Sequence, residues 1–583
     1  MEIKATRIEL TSGDAINVVD GVTVLVGPSN AGKSLVLRES IDAITRGSQP
    51  FPPKLAVSRV DIVHQGSPGD YFDRLAKIYG LQESGQYPYG QVDQEHLVVN
   101  GIAVTRDSVS NWWGRVESSG QLGATLFAHM NADGRLGLVQ DSQTFNPIEL
   151  PSSQPLQPTQ RLWQSPELEK KVSDLLQRAF GVTLTVSRGG TPEIKLHVGS
   201  PPRPAVSNPD IDYLRELRKL PLWREQGDGM RSFLGIVLAL TTANPPLVFI
   251  DEPEAFLHPP QARLLGKLLV DLTGPSTQVI VATHSSHVLD GLIAASGNTE
   301  AQVSIARLTR EGKKNRAAQV DPETLRALYN DPLTRYYNIL DGLFANATVL
   351  CEGDGDCTYY RAVMDTISEL KDGTPVDSLD LHFTHCAGKS RIAAAVKTLR
   401  SAGAAVVSVV DIDFLRDDDF ARLVEAAGGD PAAFSKARNV IKAAVGSKGA
   451  RPERSTVRDQ LVKLLERSED RYLSSGELEN LREATATKGG WHEVKRFGRE
   501  SLSGDARDAF DALWAELRKL GILVVPVGEL ESFHREHANQ NKAVWLSKVL
   551  AERHYGSHRE SVDFVTTILE TAVEQQQTRI AND

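Results

Sequence analysis

Val22-Thr23-Val24-Leu25-Val26-Gly27-Pro28-Ser29-Asn30-Ala31-Gly32-Lys33-Ser34 decides the fold. The β-branched run Val22–Val26 reads as a buried strand that ends directly at a glycine. The eight residues from Gly27 to Ser34 then satisfy G-x-x-x-x-G-K-[ST] in full. Glycines let backbone N–H groups curl around phosphates, a lysine reaches the β and γ oxygens, and a hydroxyl ligates Mg²⁺. Asn30, Gly32, Lys33 and Ser34 are therefore candidate nucleotide-binding residues, with Ser34 also a candidate metal ligand. The chemistry implied is ATP or GTP binding on an α/β sheet.

Outward from the loop, a second buried strand, Leu247–Ile250, runs into Asp251-Glu252-Pro253-Glu254. An acidic pair at a strand end suits a Walker B element, Asp251 holding Mg²⁺ and Glu252 orienting or deprotonating the attacking water. The next strand, Val279–Ala282, ends at Thr283-His284-Ser285, which puts His284 where a γ-phosphate sensor would lie. A helix from about Pro260 to Leu272 separates the two strands, and such β-α-β alternation predicts a parallel sheet covered on both faces. Ser165-Pro166 opens a helix whose apolar face is Val172, Leu175, Leu176 and Ala179, closed by Gly181. Hairpins are predicted around Asn100-Gly101 and Gly189-Gly190, and Asp141–Pro166 reads as a surface connection. The stretch from 60 to 225 thus reads as a mixed, β-rich insertion. Residues 300–345 read as polar and helical, with a linker at 331–345.

A second β-α alternation begins at Thr348. Its strands end in Glu352-Gly353-Asp354-Gly355-Asp356, in Asp411-Ile412-Asp413 and in Gly528-Glu529-Leu530-Glu531. Open α/β sheets gather such strand ends into one crevice. Carboxylates packed together repel unless cations sit between them, and hard oxygen donors suit Mg²⁺ or Mn²⁺. Gly388-Lys389-Ser390 either meets a phosphate at a helix N-terminus or is an ordinary loop and N-cap.

Composition narrows the class further. In 583 residues, 75 acidic side chains against 65 basic ones give a net charge of −10, which excludes a uniformly basic nucleic-acid coat. Basic charge is nonetheless concentrated: Lys436–Arg467 holds nine Lys/Arg against three Asp/Glu, and Lys488 to Phe497 interleaves basic and aromatic residues. That insertion, 414–518, is where backbone contact with DNA is expected. Three cysteines make no disulfide framework or paired C-x-x-C zinc motif. No signal core or membrane span is read, and the expected location is a reducing cytoplasm.

The first set of motifs resembles the ATP-binding-cassette ATPases of chromosome maintenance and recombination repair. Asp251–Pro259 resembles their extended Walker B and D-loop, and Gln226-Gly227-Asp228-Gly229-Met230-Arg231 occupies their signature position, with Gly227 where the usual serine stands. The resemblance implies that Gly229 of one subunit meets the ATP of another, in a homodimer or higher assembly formed through the ATPase domain. The order Glu-Gly, Asp-x-Asp, Glu-x-Glu resembles a Toprim domain. ATPase followed by Toprim is the layout of the OLD (overcoming lysogenisation defect) family, which includes the Gabija-type defence nucleases. That resemblance implies an ABC-type P-loop ATPase domain at 1–330 and a Rossmann-like Toprim nuclease domain at 346–583. It makes Glu352, Asp356, Asp411, Asp413 and one of Glu529 and Glu531 metal ligands, Glu531 fitting the family pattern better. It also implies a lysine that stabilises charge on the cleaved phosphate, Lys542 or Lys548. The function implied is an ATP-regulated, divalent-metal-dependent DNA endonuclease or nickase of bacterial anti-phage defence. An ATP-dependent clamp or sensor, binding DNA, an activator protein or RNA without cutting, is the alternative.

Overall fold

The computed structural model describes residues 3–46, 54–82, 85–87, 90–92, 94–99, 102–113, 123–143, 157–188, 192–201, 210–242, 245–274, 276–296, 302–320, 338–386, 388–446, 454–465, 481, 490–537 and 541–582. Its contacts divide the chain into two compact units, Met1–Arg326 and Ala327–Asp583. No helix among the described residues is long and apolar enough to cross a membrane.

The first unit is built on a six-stranded sheet. In chain order its strands are β1 (Gly21–Val26), β2 (Phe127–Met130), β3 (Leu247–Asp251), β4 (Gln278–Ala282), β5 (Gln302–Glu311) and β6 (Lys314–Gln319). The spatial order is β6-β5-β1-β4-β3-β2, parallel throughout except for the β5/β6 hairpin. Every residue of β1 is buried, as expected of a strand covered on both faces. Helices Lys33–Arg46, Asp228–Thr242, Pro259–Asp271 and Ser286–Ser296 follow or precede these strands. A separate antiparallel sheet joins Ile3–Leu10 to Ala15–Asn17 and Val57–His64.

Three regions differ from the sequence reading. The stretch taken as an insertion contains β2, which pairs in parallel with the Walker B strand and so belongs to the central sheet. Its four residues are too short a run to display a period. Residues 302–319, expected to be helical, are the strands β5 and β6; Ser304 and Arg307 are buried inside β5, and those polar residues hide its apolar character. Within the expected surface connection, Pro158–Gln164 is a helix that buries Thr159 and Leu162. The helix Pro166–Phe180 has the predicted face and closes, as predicted, at Gly181, which adopts a left-handed conformation. Both hairpin turns lie outside the described residues, although the flanking strands His96–Val99 and Ile102–Thr105 pair antiparallel, as do Leu184–Val186 and Leu196–Val198.

The second unit carries a four-stranded parallel sheet in the order β8-β7-β9-β10, from β7 (Ala347–Cys351), β8 (Leu381–His385), β9 (Ala405–Val410) and β10 (Ile522–Val524). One hydrophobic core joins this sheet to Tyr359, Tyr360, Trp545, Phe564 and Ile568. The helix after β7 starts at Asp354, and the Asp356 carboxylate in its first turn accepts the Gly353 N–H. Residues 414–518 are helical where described, including Ser435–Gly446, Gly490–Phe497 and Asp505–Lys519.

Candidate functional sites

The loop after β1 is wound as a phosphate cradle. Asn30 and Gly32 have φ of 64° and 84°, and a Cβ at Gly32 would lie 2.3 Å from the side-chain nitrogen of Asn315, so only glycine fits there. Lys33 opens the following helix and turns back to donate from Nζ to the carbonyl oxygens of Gly27 (2.7 Å) and Pro28 (2.9 Å). Burial pulls its pKa down to about 8, against the raising influence of Glu252, Glu254 and Asp251. Ser34 Oγ donates to Asp251 Oδ1 at 2.9 Å. The hydroxyl and the carboxylate that would share a Mg²⁺ are therefore neighbours.

Past β3 the chain is held from two sides. Glu254 accepts Thr283 Oγ1 at 2.8 Å and the backbone N–H of His284 at 2.7 Å, and burial raises its pKa. This ties the Walker B end to the β4 end. Glu252 sits at φ 47°, with its Oε1 3.6 Å from His284 Nε2. Burial, with Lys33 next, lowers the pKa of His284, which favours a neutral ring. From the other side comes Arg135, fully buried in the short helix Ala132–Gly137. It donates to Ser232 Oγ (2.9 Å) and to the carbonyls of Met130 (3.2 Å), Asp251 (2.5 Å) and Glu252 (3.1 Å). Sequence reading passes over Arg135, since a lone arginine in a polar stretch carries no spacing signal. Gly229 lies in the first turn of Asp228–Thr242, where a Cβ would come within 2.3 Å of the Phe256 carbonyl.

In the second unit the three acidic strand ends meet. Glu352 follows β7 and accepts the backbone N–H of Asp411 on Oε1 at 3.0 Å. Burial raises the pKa of Glu352, and burial followed by Glu352 raises that of Asp411 well above the usual carboxylate range. Asp356, buried in the first helical turn, accepts the Gly353 N–H at 2.8 Å. Lys542 Nζ lies 3.3 Å from Asp356 and 3.6 Å from Glu531, whereas Lys548 pairs with Glu552 at 4.0 Å. Lys389 pairs with Asp413 at 3.4 Å and with Asp417, and the Gly388 N–H donates to the Glu352 carbonyl at 2.9 Å.

Lys495 belongs to the basic segment where contact with DNA is expected, and its Nζ lies 3.3 Å from Asp411, 3.8 Å from Asp413 and 3.3 Å from Glu529. Lys495 follows Val494, which with Gly490 is buried in the eight-residue helix Gly490–Phe497. Burial opposes the charge on Lys495, but the three carboxylates outweigh it and raise its pKa.

Among the described residues no group of three His, Cys, Asp or Glu side chains is drawn together closely enough to hold a metal ion as it stands. The donor set is nevertheless all carboxylate, and two of its members are buried enough for their charged forms to be disfavoured. A hard divalent cation would relieve that cost, so Glu352, Asp356, Asp411, Asp413, Glu529 and Glu531 fit such an ion. On the first unit, Ser34 and Asp251 fit the Mg²⁺ of a bound nucleotide.

Comparison with known proteins identifies the two units. Residues 207–290 match the family described as "AAA domain, putative AbiEii toxin, Type IV TA system". Residues 343–413 match the "Overcoming lysogenization defect protein-like, TOPRIM domain" family. The chain therefore carries a segment similar to AAA-type ATPase domains and a segment similar to OLD-like Toprim domains. It is 26% identical over 172 residues to the Old nuclease of Escherichia phage P2, a match covering 29% of this chain and 28% of that protein. Among solved structures, an Smc head bound to the C-winged helix domain of ScpA is 12% identical, covering 55% of this chain and 99% of that one, with a TM-score of 0.34. The SMC head domain from Thermotoga maritima is 13% identical over 55% of this chain and 100% of its own, with a TM-score of 0.27. The OLD-like match spans β7, its Glu352–Asp356 turn and the Asp411/Asp413 strand end.

Proposed function

We propose that this chain is an ATP-regulated, divalent-metal-dependent DNA endonuclease or nickase of the OLD type, acting in the cytoplasm in anti-phage defence. The observation that carries the reading is the convergence of Glu352, Asp411 and the Glu529–Glu531 segment at the carboxyl ends of neighbouring parallel strands, with Lys542 among them. Glu352, Asp356, Asp411, Asp413 and Glu531 would hold Mg²⁺ or Mn²⁺, which when bound polarises the phosphodiester and lowers the pKa of its water. Lys542, held between Asp356 and Glu531, offers a fixed positive charge to the phosphate being cleaved. The backbone N–H of Asp411 fixes the Glu352 carboxylate, so that a ligand does not have to be ordered at the moment of binding.

In the ATPase unit, Lys33 exchanges its loop carbonyls for the β and γ phosphates. Asp251 and Ser34 face the magnesium position, Glu252 aligns water, and neutral His284 donates towards the γ-phosphate. The exposed Phe256 and the helix start at Gly229 give a surface on which a second copy closes. Plasmid nicking with Mn²⁺, with and without ATP, tests the reading. Wild type converts supercoiled to open-circular DNA, and Asp411→Ala does not while keeping its ATPase activity. Intact plasmid with wild type under every nucleotide condition would refute it.

A further inference from the structure

Lys495 belongs to neither β strand nor P-loop; it comes from Gly490–Phe497, in the stretch between the Asp411/Asp413 strand end and β10. Its helix is fastened to the segment that carries Glu529 and Glu531. Ser532 Oγ donates to the carbonyls of Lys495 (3.3 Å) and Arg496 (3.0 Å), and the Arg499 N–H donates to the Pro526 carbonyl at 2.8 Å. Gly528 sits at φ 112°, with the Lys495 carbonyl so close that a Cβ would come within 2.0 Å of it. The ammonium is thus set in place by backbone contacts rather than swinging on a loose surface helix. It reaches carboxylates from two different strand ends, Asp411 and Asp413 on one side and Glu529 on the other. Lys542 and Lys389 pair with other oxygens of the cluster, Asp356 and Glu531 for the first and Asp413 and Asp417 for the second.

A divalent ion bound to Asp411 or Asp413 would compete with the ammonium for the lone pairs of Asp411 Oδ2 and Asp413 Oδ2. It would also meet a positive charge at close range in a half-buried site, where repulsion is far stronger than in water. We propose that Lys495 is a resident cation of the carboxylate site. It holds Asp411, Asp413 and Glu529 together in the metal-free protein and yields them to an entering divalent ion, so its charge sets the metal concentration at which the site fills. The inference rests on the reading of this cluster as the metal site.

The test is Mn²⁺ binding to the full chain without nucleotide or DNA, read from the free-Mn²⁺ EPR signal, together with thermal melting. The relevant ion is the one lost in Asp411→Ala. Lys495→Met should bind that ion at least tenfold more tightly than wild type, and Lys495→Gln should do the same with a side chain that still donates hydrogen bonds. Lys495→Arg should bind like wild type. Arg496→Met, which removes the same charge from an exposed neighbour, should also leave the affinity unchanged. Without metal, Lys495→Met should melt below wild type, and Mn²⁺ should raise its melting temperature by more than it raises that of wild type. If Asp411→Ala binds Mn²⁺ as wild type does, the metal reading of the cluster fails and the inference falls with it. If Asp411→Ala loses the ion but Lys495→Met and Lys495→Gln bind within twofold of wild type, the metal site stands and the role given to Lys495 is wrong.

Discussion

Arg135→Met would remove a side chain that fastens the Walker B end to β2 and to the helix Asp228–Thr242. The arginine makes four hydrogen bonds, three of them to the carbonyls of Met130, Asp251 and Glu252, and is completely buried. Methionine fills much of the same volume but leaves those carbonyls without this donor. Each buried acceptor left unpaired costs about 1–3 kcal/mol, and such costs are not additive. The partners left behind are neutral, and because hydrogen bonds to a charged group are worth about 1.5–3 kcal/mol each and act here as one unit, about 3–5 kcal/mol stands for the whole set. For domains larger than 150 residues, 1 kcal/mol shifts the melting temperature by about 2–4 °C, and a unit of 326 residues belongs at the low end. The expected loss is therefore about 6–10 °C in the calorimetric transition that ATP-Mg²⁺ raises. ATP hydrolysis should fall further than ATP binding, because the Glu252 backbone at φ 47° depends on the Arg135 bond whereas Lys33 and Ser34 do not. Arg135→Lys, which keeps the charge but not the planar fork, should fall between the two. A drop below about 2 °C with unchanged ATPase activity would refute the placement of Arg135 as the prop of this site.

Other substitutions probe the remaining parts. Gly32→Ala forces a side chain onto Asn315 at a positive φ, so nucleotide binding measured by calorimetry should be lost while the second unit melts normally. Lys542→Ala should slow plasmid cleavage by about 10²–10³-fold, the usual effect of deleting one charge-stabilising donor, whereas Lys548→Ala should cleave like wild type. His534 is buried against Tyr359, with Nε2 3.0 Å from the hydroxyl, and burial, with His558 next, lowers its pKa from 6.5. The unfolded chain then takes up more protons than the folded one below pH 6.5, so stability is full above that pH and falls as pH drops through it. Chemical denaturation between pH 7 and 5 should show that slope, flattened in His534→Gln, despite the opposing pull of Glu536. An unchanged slope would mean that His534 is already protonated in the folded protein.

What the sequence made legible was whatever a strand end makes local. Glu352, Asp411 and Asp251 each follow a buried run directly, and their strands stand side by side in the sheets that β-α alternation predicts. Side chains supplied from across the fold were another matter. Arg135 and Lys495 sit in helices of six and eight residues, too short for a period to declare which face turns inward. Strand β5 was missed for a related reason: it buries Ser304 and Arg307, so a fully covered strand reads as polar. The alternative between Lys542 and Lys548 was open because residues six apart on one helix look alike in sequence, and only the first faces Asp356.

The placement of the lysines alters the meaning of the acidic balance. A net charge of −10 looks unfavourable for a protein that binds a polyanion, yet Asp356, Asp411, Asp413, Glu529 and Glu531 are already partnered by Lys389, Lys495 and Lys542. Those three cations come from three separate segments of chain, and each touches at least two carboxylates. A divalent ion entering the cluster takes carboxylate oxygens from them, and a displaced ammonium is left facing whatever anion arrives next. Metal loading and phosphate binding are thereby coupled in sign. With the proposed metal site and DNA substrate, the acidic cluster would repel the DNA backbone when empty and would offer it dications and released lysines once filled.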